Sequence, residues 1–175
     1  MGYVLVLLVV AALLLAAGWR FSNIIIYPKT WTPEEVYARE LEAQRFDPAV
    51  FAGWPKEEVR IRSPYGYELF GLYIPQDHAS KTVIIVHGIT VNHNASIKYA
   101  QVFRRLGFNM LLIDHRNHGR SGGHNTTFGF YEKYDLKAWV DWVFARAGAE
   151  RFSAECVVGT HGESLGRRRC CCTRQ

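Results

Sequence analysis

The sequence predicts an α/β domain: an antiparallel hairpin leading into parallel strands with helices on both faces, behind an N-terminal transmembrane helix. Three observations predict it. A charge-free apolar run of 17 residues opens the chain, from Tyr3 to Trp19. Three short, continuous apolar runs follow at Val83 to Val86, Met110 to Ile113 and Cys156 to Val158. Such runs suit strands buried on both faces of a parallel sheet. Between them, apolar residues recur at helical spacing.

The opening run lies at the lower limit for a helix that crosses a bilayer. Trp19 and Arg20 follow where an interfacial anchor belongs. A buried core helix and a cleaved signal peptide are the competing readings. Against the signal peptide, no Lys or Arg precedes the run, and Ala16-Ala17-Gly18 only approaches a cleavage site. The expectation is an uncleaved, single-pass membrane anchor over residues 1–22. Arg20 and Lys29 lean towards a cytoplasmic domain, but two charges do not fix its side of the membrane.

Residues 23–55 read as a linker with one helix. Thr32 can cap it, Pro33 suits the first helical position, and Glu35 completes a capping box. That helix is expected to end near Gln44. Residues 56–166 read as a partial α/β domain. Val59 and Ile61 alternate with polar residues, and a turn at Pro64 to Tyr67 leads into a second strand, Glu68 to Ile74. Ile97, Ala100, Val102, Phe103 and Leu106 mark one helix, stopped by Gly107. Leu136, Trp139, Val140 and Val143 mark another. A hairpin followed by strand-helix-strand-helix-strand implies a sheet with an antiparallel start.

Hydrophobic residues make up 49% and charged residues 21%, a globular balance that excludes intrinsic disorder. The formal charge of +5 is a property of the last nine residues. Without Arg167, Arg168, Arg169 and Arg174, 17 basic residues face 16 acids, a net of +1. This is no nucleic-acid footprint, which needs a basic face on the folded domain. Three of the four cysteines, Cys170 to Cys172, sit in the same tail, and no disulfide framework or zinc spacing is visible. Cys156 reads as a small buried hydrophobe.

Gly162-Glu163-Ser164-Leu165-Gly166 is a G-x-S-x-G placed just after a buried strand, where a nucleophile elbow belongs. The tight turn needs small neighbours, hence Gly162 and Gly166. It would lift Ser164 Oγ clear of the sheet and aim the Leu165 N–H at a reacting carbonyl oxygen. An ordinary glycine-rich strand-helix turn is the plainer alternative. His87-Gly88-Ile89-Thr90 follows the run at Val83. His87 could be a base, or a structural histidine holding the loop. Asp114 to Gly123, with His115, Arg116, Asn117, His118, Gly119 and Ser121, follows the next strand. Its two histidines beside an aspartate could hold a metal. A loop that bolts down the strand ends is the expected reading, with no metal and no cofactor.

The order His-Gly, then Asp-x-Arg-x-x-Gly-x-Ser, then Gly-x-Ser-x-Gly resembles the α/β-hydrolase superfamily over about Glu57 to Gly166. The branch resembles membrane-anchored bacterial hydrolases of the serine-aminopeptidase or monoacylglycerol-lipase-like type. The resemblance implies Ser164 as nucleophile, with the Leu165 and Ile89 N–H groups as oxyanion donors. Gly88 would let backbone approach substrate, and Asp114, Arg116, Gly119 and Ser121 would form a structural loop, with Asn117 where glycine is commoner. The implied reaction is acyl transfer from a small-molecule ester, thioester or amide to water through an acyl-serine.

In that superfamily an acid and then a histidine follow the serine. The nine residues after Gly166 contain neither. Three arginines in the first turn after the elbow would also oppose the helix dipole. Residues 167–175 are therefore expected to be an aberrant tail from a shifted reading frame, on a chain broken off before its triad and inactive. In another frame the codons for Gly166 to Gln175 can specify Ala-Ala-Thr-Val-Leu-Leu-His-Ala-Ala, an apolar helix. A genuine basic, cysteine-rich tail is the rival reading.

Overall fold

The computed structural model describes residues 2–149 and 157–162. Cys156, Ser164, Leu165, Gly166 and the tail 167–175 lie outside the described residues.

The apolar run forms helix α1 (Gly2–Ile26), with no residue buried by the rest of the chain. It runs four residues beyond the expected anchor. Ile24 to Ile26 continue the helix, and the residue before Pro28 is the first that resists helical geometry. Helix α2 (Pro33–Glu42) starts with the expected capping box. The Thr32 N–H donates to Glu35 Oε2 at 2.8 Å, and the Glu35 N–H to Thr32 Oγ1 at 3.2 Å. It ends two residues before Gln44, which takes a left-handed φ of 51°. The linker then holds a second helix, α3 (Pro48–Ala52), where one helix in all was expected. Asp47 caps it, accepting from the Ala49 N–H at 2.9 Å, and Pro48 opens it.

Among the described residues five strands form one sheet: β1 (Glu57–Arg62), β2 (Glu68–Ile74), β3 (Lys81–Val86), β4 (Phe108–Ile113) and β5 (Val157–Gly162), in the order β1-β2-β4-β3-β5. The hairpin pairs Arg62 with Glu68, and β2 also runs antiparallel to β4. β3 lies between β4 and β5 and is parallel to both. The crossover from β3 to β4 passes through a short 3₁₀ turn (His93–Ser96) and helix α4 (Ile97–Arg105). Helix α5 (Glu132–Ala149) follows β4 and starts four residues before the apolar pattern that marks it.

The strict alternation of β3 and β4 sends neighbouring side chains to opposite faces. Ile84, Val86, Leu111 and Ile113 pack with Leu136, Trp139 and Val143 of α5. Val83, Ile85, Met110 and Leu112 pack with Ile97 and Ala100 of α4, and with Phe46 and Phe51 from the linker. Both faces are therefore covered, which is why these strands read as continuous apolar runs. Trp139 is fully buried and lies against Gly71 of β2. A Cβ at position 71 would stand 2.9 Å from its ring, so the glycine gives the indole its room. Truncating a core Trp of this kind costs about 3–5 kcal/mol.

Candidate active site

The carboxyl ends of the parallel strands meet at one edge. Val86 at the end of β3 is in register with Gly162 at the end of β5. The loop His87-Gly88-Ile89-Thr90 and the first residue of the G-x-S-x-G therefore leave the sheet side by side. In an open α/β sheet this edge is where ligands bind.

His87 is buried, and both ring nitrogens are engaged. Nε2 accepts the His115 N–H at 3.0 Å, so the proton sits on Nδ1, which donates to the Gly88 carbonyl at 2.6 Å. Burial, only partly offset by Asp114, lowers its pKa to about 4. A neutral ring locked between two backbone groups is built to hold a loop. Thr90 adopts φ 70°. A β-branched residue in the left-handed region is strained and persists only where its surroundings impose it. Here the Thr90 N–H donates to His118 Nε2 at 3.1 Å, and its carbonyl accepts the Trp31 N–H at 2.8 Å. The Asn92 side chain returns a bond to the Trp31 carbonyl at 3.2 Å, and Asn94 reaches the Pro33 carbonyl at 2.9 Å. The linker is thus fastened to the loop that carries Ile89. Ile89 and Gly88 line a pocket of about 230 Å³ with Glu40, Arg45, Val91 and Lys98.

The loop after β4 is organised around Asp114. Its Oδ1 accepts the His93 N–H at 2.6 Å, and its Oδ2 accepts the Arg120 N–H at 2.9 Å. His93 Nδ1 lies 2.9 Å from both carboxylate oxygens. Burial pushes the Asp114 carboxyl up, but His93 and the other nearby donors and charges outweigh it and hold it below its ordinary value. Gly119, at φ 53°, passes so close that a Cβ would lie 2.2 Å from Asp114 Oδ2. Asn117 takes φ 59°, which explains why glycine suits that position and asparagine is tolerated. Ser121 Oγ donates to the Asp114 carbonyl and accepts the Phe70 N–H, both at 2.8 Å, joining the loop to β2. Arg116 is buried between the Tyr67 and Tyr131 rings and donates to Asn125 at 2.9 Å. Beside it, Asp135 of α5 accepts from Ser63 and Tyr67 hydroxyls, each at 2.6 Å. Burial raises the Asp135 pKa against those two hydrogen bonds.

His87, Gly88, Asp114, Arg116, Gly119 and Ser121 therefore converge on two interlocked loops, with Ile89 on the first and Gly162 beside it. His118 spends its nitrogens on the Arg116 carbonyl, at 2.8 Å, and the Thr90 N–H. Among the described residues no cluster of His, Cys, Asp and Glu is arranged to hold a metal. Four contributors have no clear mark in the sequence: His93, the His118–Thr90 bond, the strain at Thr90, and Trp31.

A sequence model described as the alpha/beta hydrolase fold matches residues 81–154, which include β3, α4, β4, α5 and both loops. The chain has the α/β-hydrolase fold. It is 37% identical over 164 residues to the uncharacterized protein YqkD of Bacillus subtilis, spanning 92% of this chain and 52% of that protein. Among solved structures it is similar to the esterase Pf2001 of Pyrococcus furiosus, at 33% identity and TM-score 0.56, over 69% of this chain and 46% of that one. XC6422 of Xanthomonas campestris, an α/β serine hydrolase without lid, shares the fold at 22% identity and TM-score 0.54, over 65% of this chain and 53% of that one. The chain spans about half the length of these relatives.

Proposed function

We propose that this protein is a membrane-anchored serine hydrolase of the α/β-hydrolase type acting on an ester, thioester or amide. The observation that carries the reading is the register of Val86 with Gly162, which brings the start of the G-x-S-x-G beside the His87–Thr90 loop. In this reading Ser164 Oγ attacks the acyl carbon, the bond to the leaving group breaks, and the serine hydroxyl proton departs with that alcohol, thiol or amine as the acyl-serine forms. The Leu165 and Ile89 N–H groups receive the negative charge that builds on the carbonyl oxygen. Water then releases the acid. The fold and the similarity to an esterase support hydrolysis in general. The serine mechanism rests on the motif and its position.

The charge-free stretch of α1, uncovered by the domain, supports a membrane anchor. The membrane-anchored serine-aminopeptidase or lipase-like branch remains our reading of its kind.

One experiment tests the reading. A version of the chain extended to the length of its relatives, and its Ser164→Ala form, are treated with a fluorophosphonate probe and a short p-nitrophenyl ester. Labelling and hydrolysis by the extended form, abolished by Ser164→Ala, is the expected result. An unlabelled, inactive extended form sinks the serine-hydrolase reading and leaves the alternative, a membrane-anchored, non-catalytic or interaction protein.

A further inference from the structure

The loop between β4 and α5 presents two large aromatic side chains to solvent. Phe128 is 45% and Phe130 65% exposed. Phe128 holds φ 51°, a costly conformation for a bulky residue, followed by Gly129 at φ 107°. The strain is imposed from inside. Buried Glu132 accepts the Thr127 N–H at 2.8 Å, the Thr127 hydroxyl at 2.7 Å and the Gly129 N–H at 2.6 Å. A buried carboxylate thus fixes a turn whose outcome is two outward phenylalanines.

The same loop is tied to the end of the apolar helix. The Thr126 N–H donates to the Ile26 carbonyl at 2.9 Å. The 25 residues of α1 measure about 37 Å at 1.5 Å per residue, against roughly 30 Å of bilayer hydrocarbon. Its last turn therefore falls in the headgroup layer. Ile24 and Ile25 in that turn remain 57% and 55% exposed. The charge pattern agrees: no acidic residue occurs from Arg120 to Tyr131, and Lys133 Nζ sits over the Phe130 and Tyr134 rings. Aromatic rings flanked by a cation suit an interface between hydrocarbon and water.

We propose that the Phe128–Phe130 turn is a second membrane contact, seated in the headgroup layer of the bilayer that α1 spans. The proposal rests on the anchor reading above. It orients the domain, because a single helix leaves the domain free to swing while two contacts do not. It also brings the site to the membrane. Trp31, which is bonded to Thr90, follows Ile26 by only five positions, so this edge of the sheet lies within about 18 Å of the helix end along the chain.

The test uses the full chain, its four cysteines replaced by serine, in vesicles of phosphatidylcholine with phosphatidylglycerol. A fluorophore is attached in turn at Phe130→Cys, Phe128→Cys, Leu14→Cys and Leu106→Cys, the last an exposed site at the C-terminal end of α4. Quenching is read with lipids spin-labelled near the headgroup or at mid-chain. The proposal predicts that mid-chain lipid quenches position 14, and that headgroup-proximal lipid quenches 128 and 130 at least about twofold more than 106. Quenching at 14, with 128 and 130 no different from 106, overturns the second contact and leaves the anchor standing. A chain unquenched at 14 and free of the vesicles overturns the anchor, and this proposal with it. Phe128 and Phe130 are tested separately, so one misfolded variant does not silence the result.

Discussion

His118 Nε2 accepts the Thr90 N–H at 3.1 Å, and this bond joins the loop after β4 to the loop after β3. A second bond runs between the same loops in the opposite sense, from the His115 N–H to His87 Nε2. Each loop thus supplies one imidazole acceptor and one backbone donor. Removing an acceptor leaves a sheltered N–H without its partner, which costs about 1–3 kcal/mol. His118→Ala is expected to lower stability by that amount in urea denaturation of the detergent-solubilised chain. His118→Gln, whose amide oxygen can reach the same donor, should recover part of the loss. Equal losses in the two variants would mean that packing, not the bond, is responsible.

Thr90 gives a prediction of the opposite sign. Its left-handed backbone costs about 1–2 kcal/mol for a residue with a Cβ. Glycine removes that cost but adds about 0.4–1 kcal/mol of unfolded-chain entropy. Thr90→Gly is therefore expected to stabilise by about 0.5–1 kcal/mol, visible as a higher urea midpoint. A destabilised Thr90→Gly would show that the threonine side chain makes contacts worth more than the strain.

The loop around Asp114 separates two positions that share a left-handed backbone. At Gly119 a Cβ would drive into the buried Asp114 carboxylate, itself held by His93 and Arg120. Gly119→Ala should cost at least about 3 kcal/mol, as disruption of a buried charged network does. Asn117→Gly, at φ 59°, should be neutral or slightly stabilising. Denaturation midpoints of the two variants, measured together, check the contrast. Similar midpoints would mean that backbone strain, not the Asp114 contact, dominates this loop.

The sequence made the sheet legible because its signals are local. The alternation at Val59 and Ile61, the turn through Gly66, and the apolar runs of β3 and β4 each identify themselves within a few residues. Gly119 and Ser121 were legible as a motif, though their reason, Asp114, became clear only in three dimensions. Asp47-Pro48 carried the same start signal as Thr32-Pro33, yet α3 is too short to show helical periodicity. The stitches were hidden for a different reason. His93 meets Asp114 across 21 residues, Trp31 meets Thr90 across 59, and nothing nearby in the chain marks such partners. Thr90 was actively misleading, since local propensity argues against a β-branched residue at positive φ.

The pH dependence of stability follows from His87. Its ordinary pKa of 6.5 drops to about 4 in the fold, because burial disfavours the charged ring. Between those values the unfolded chain binds a proton that the folded chain does not. Stability is therefore complete above pH 6.5 as far as His87 is concerned, and falls as pH drops towards 4. At about 1.4 kcal/mol per pH unit across that window, the loss reaches about 3 kcal/mol. Protonation would also destroy the acceptor for the His115 N–H. Asp114 acts in a lower window. Its carboxyl is held below the ordinary 3.8, so its contribution is present above 3.8 and disappears as pH falls further, through its folded-state value. Urea denaturation from pH 7 to pH 4 should show a steady fall in midpoint. His87→Gln, less stable at pH 7, should show a shallower fall over the same range. Parallel slopes in the two proteins would place the acid sensitivity on other groups and overturn the assignment of a neutral, buried His87 as the clasp between the loops.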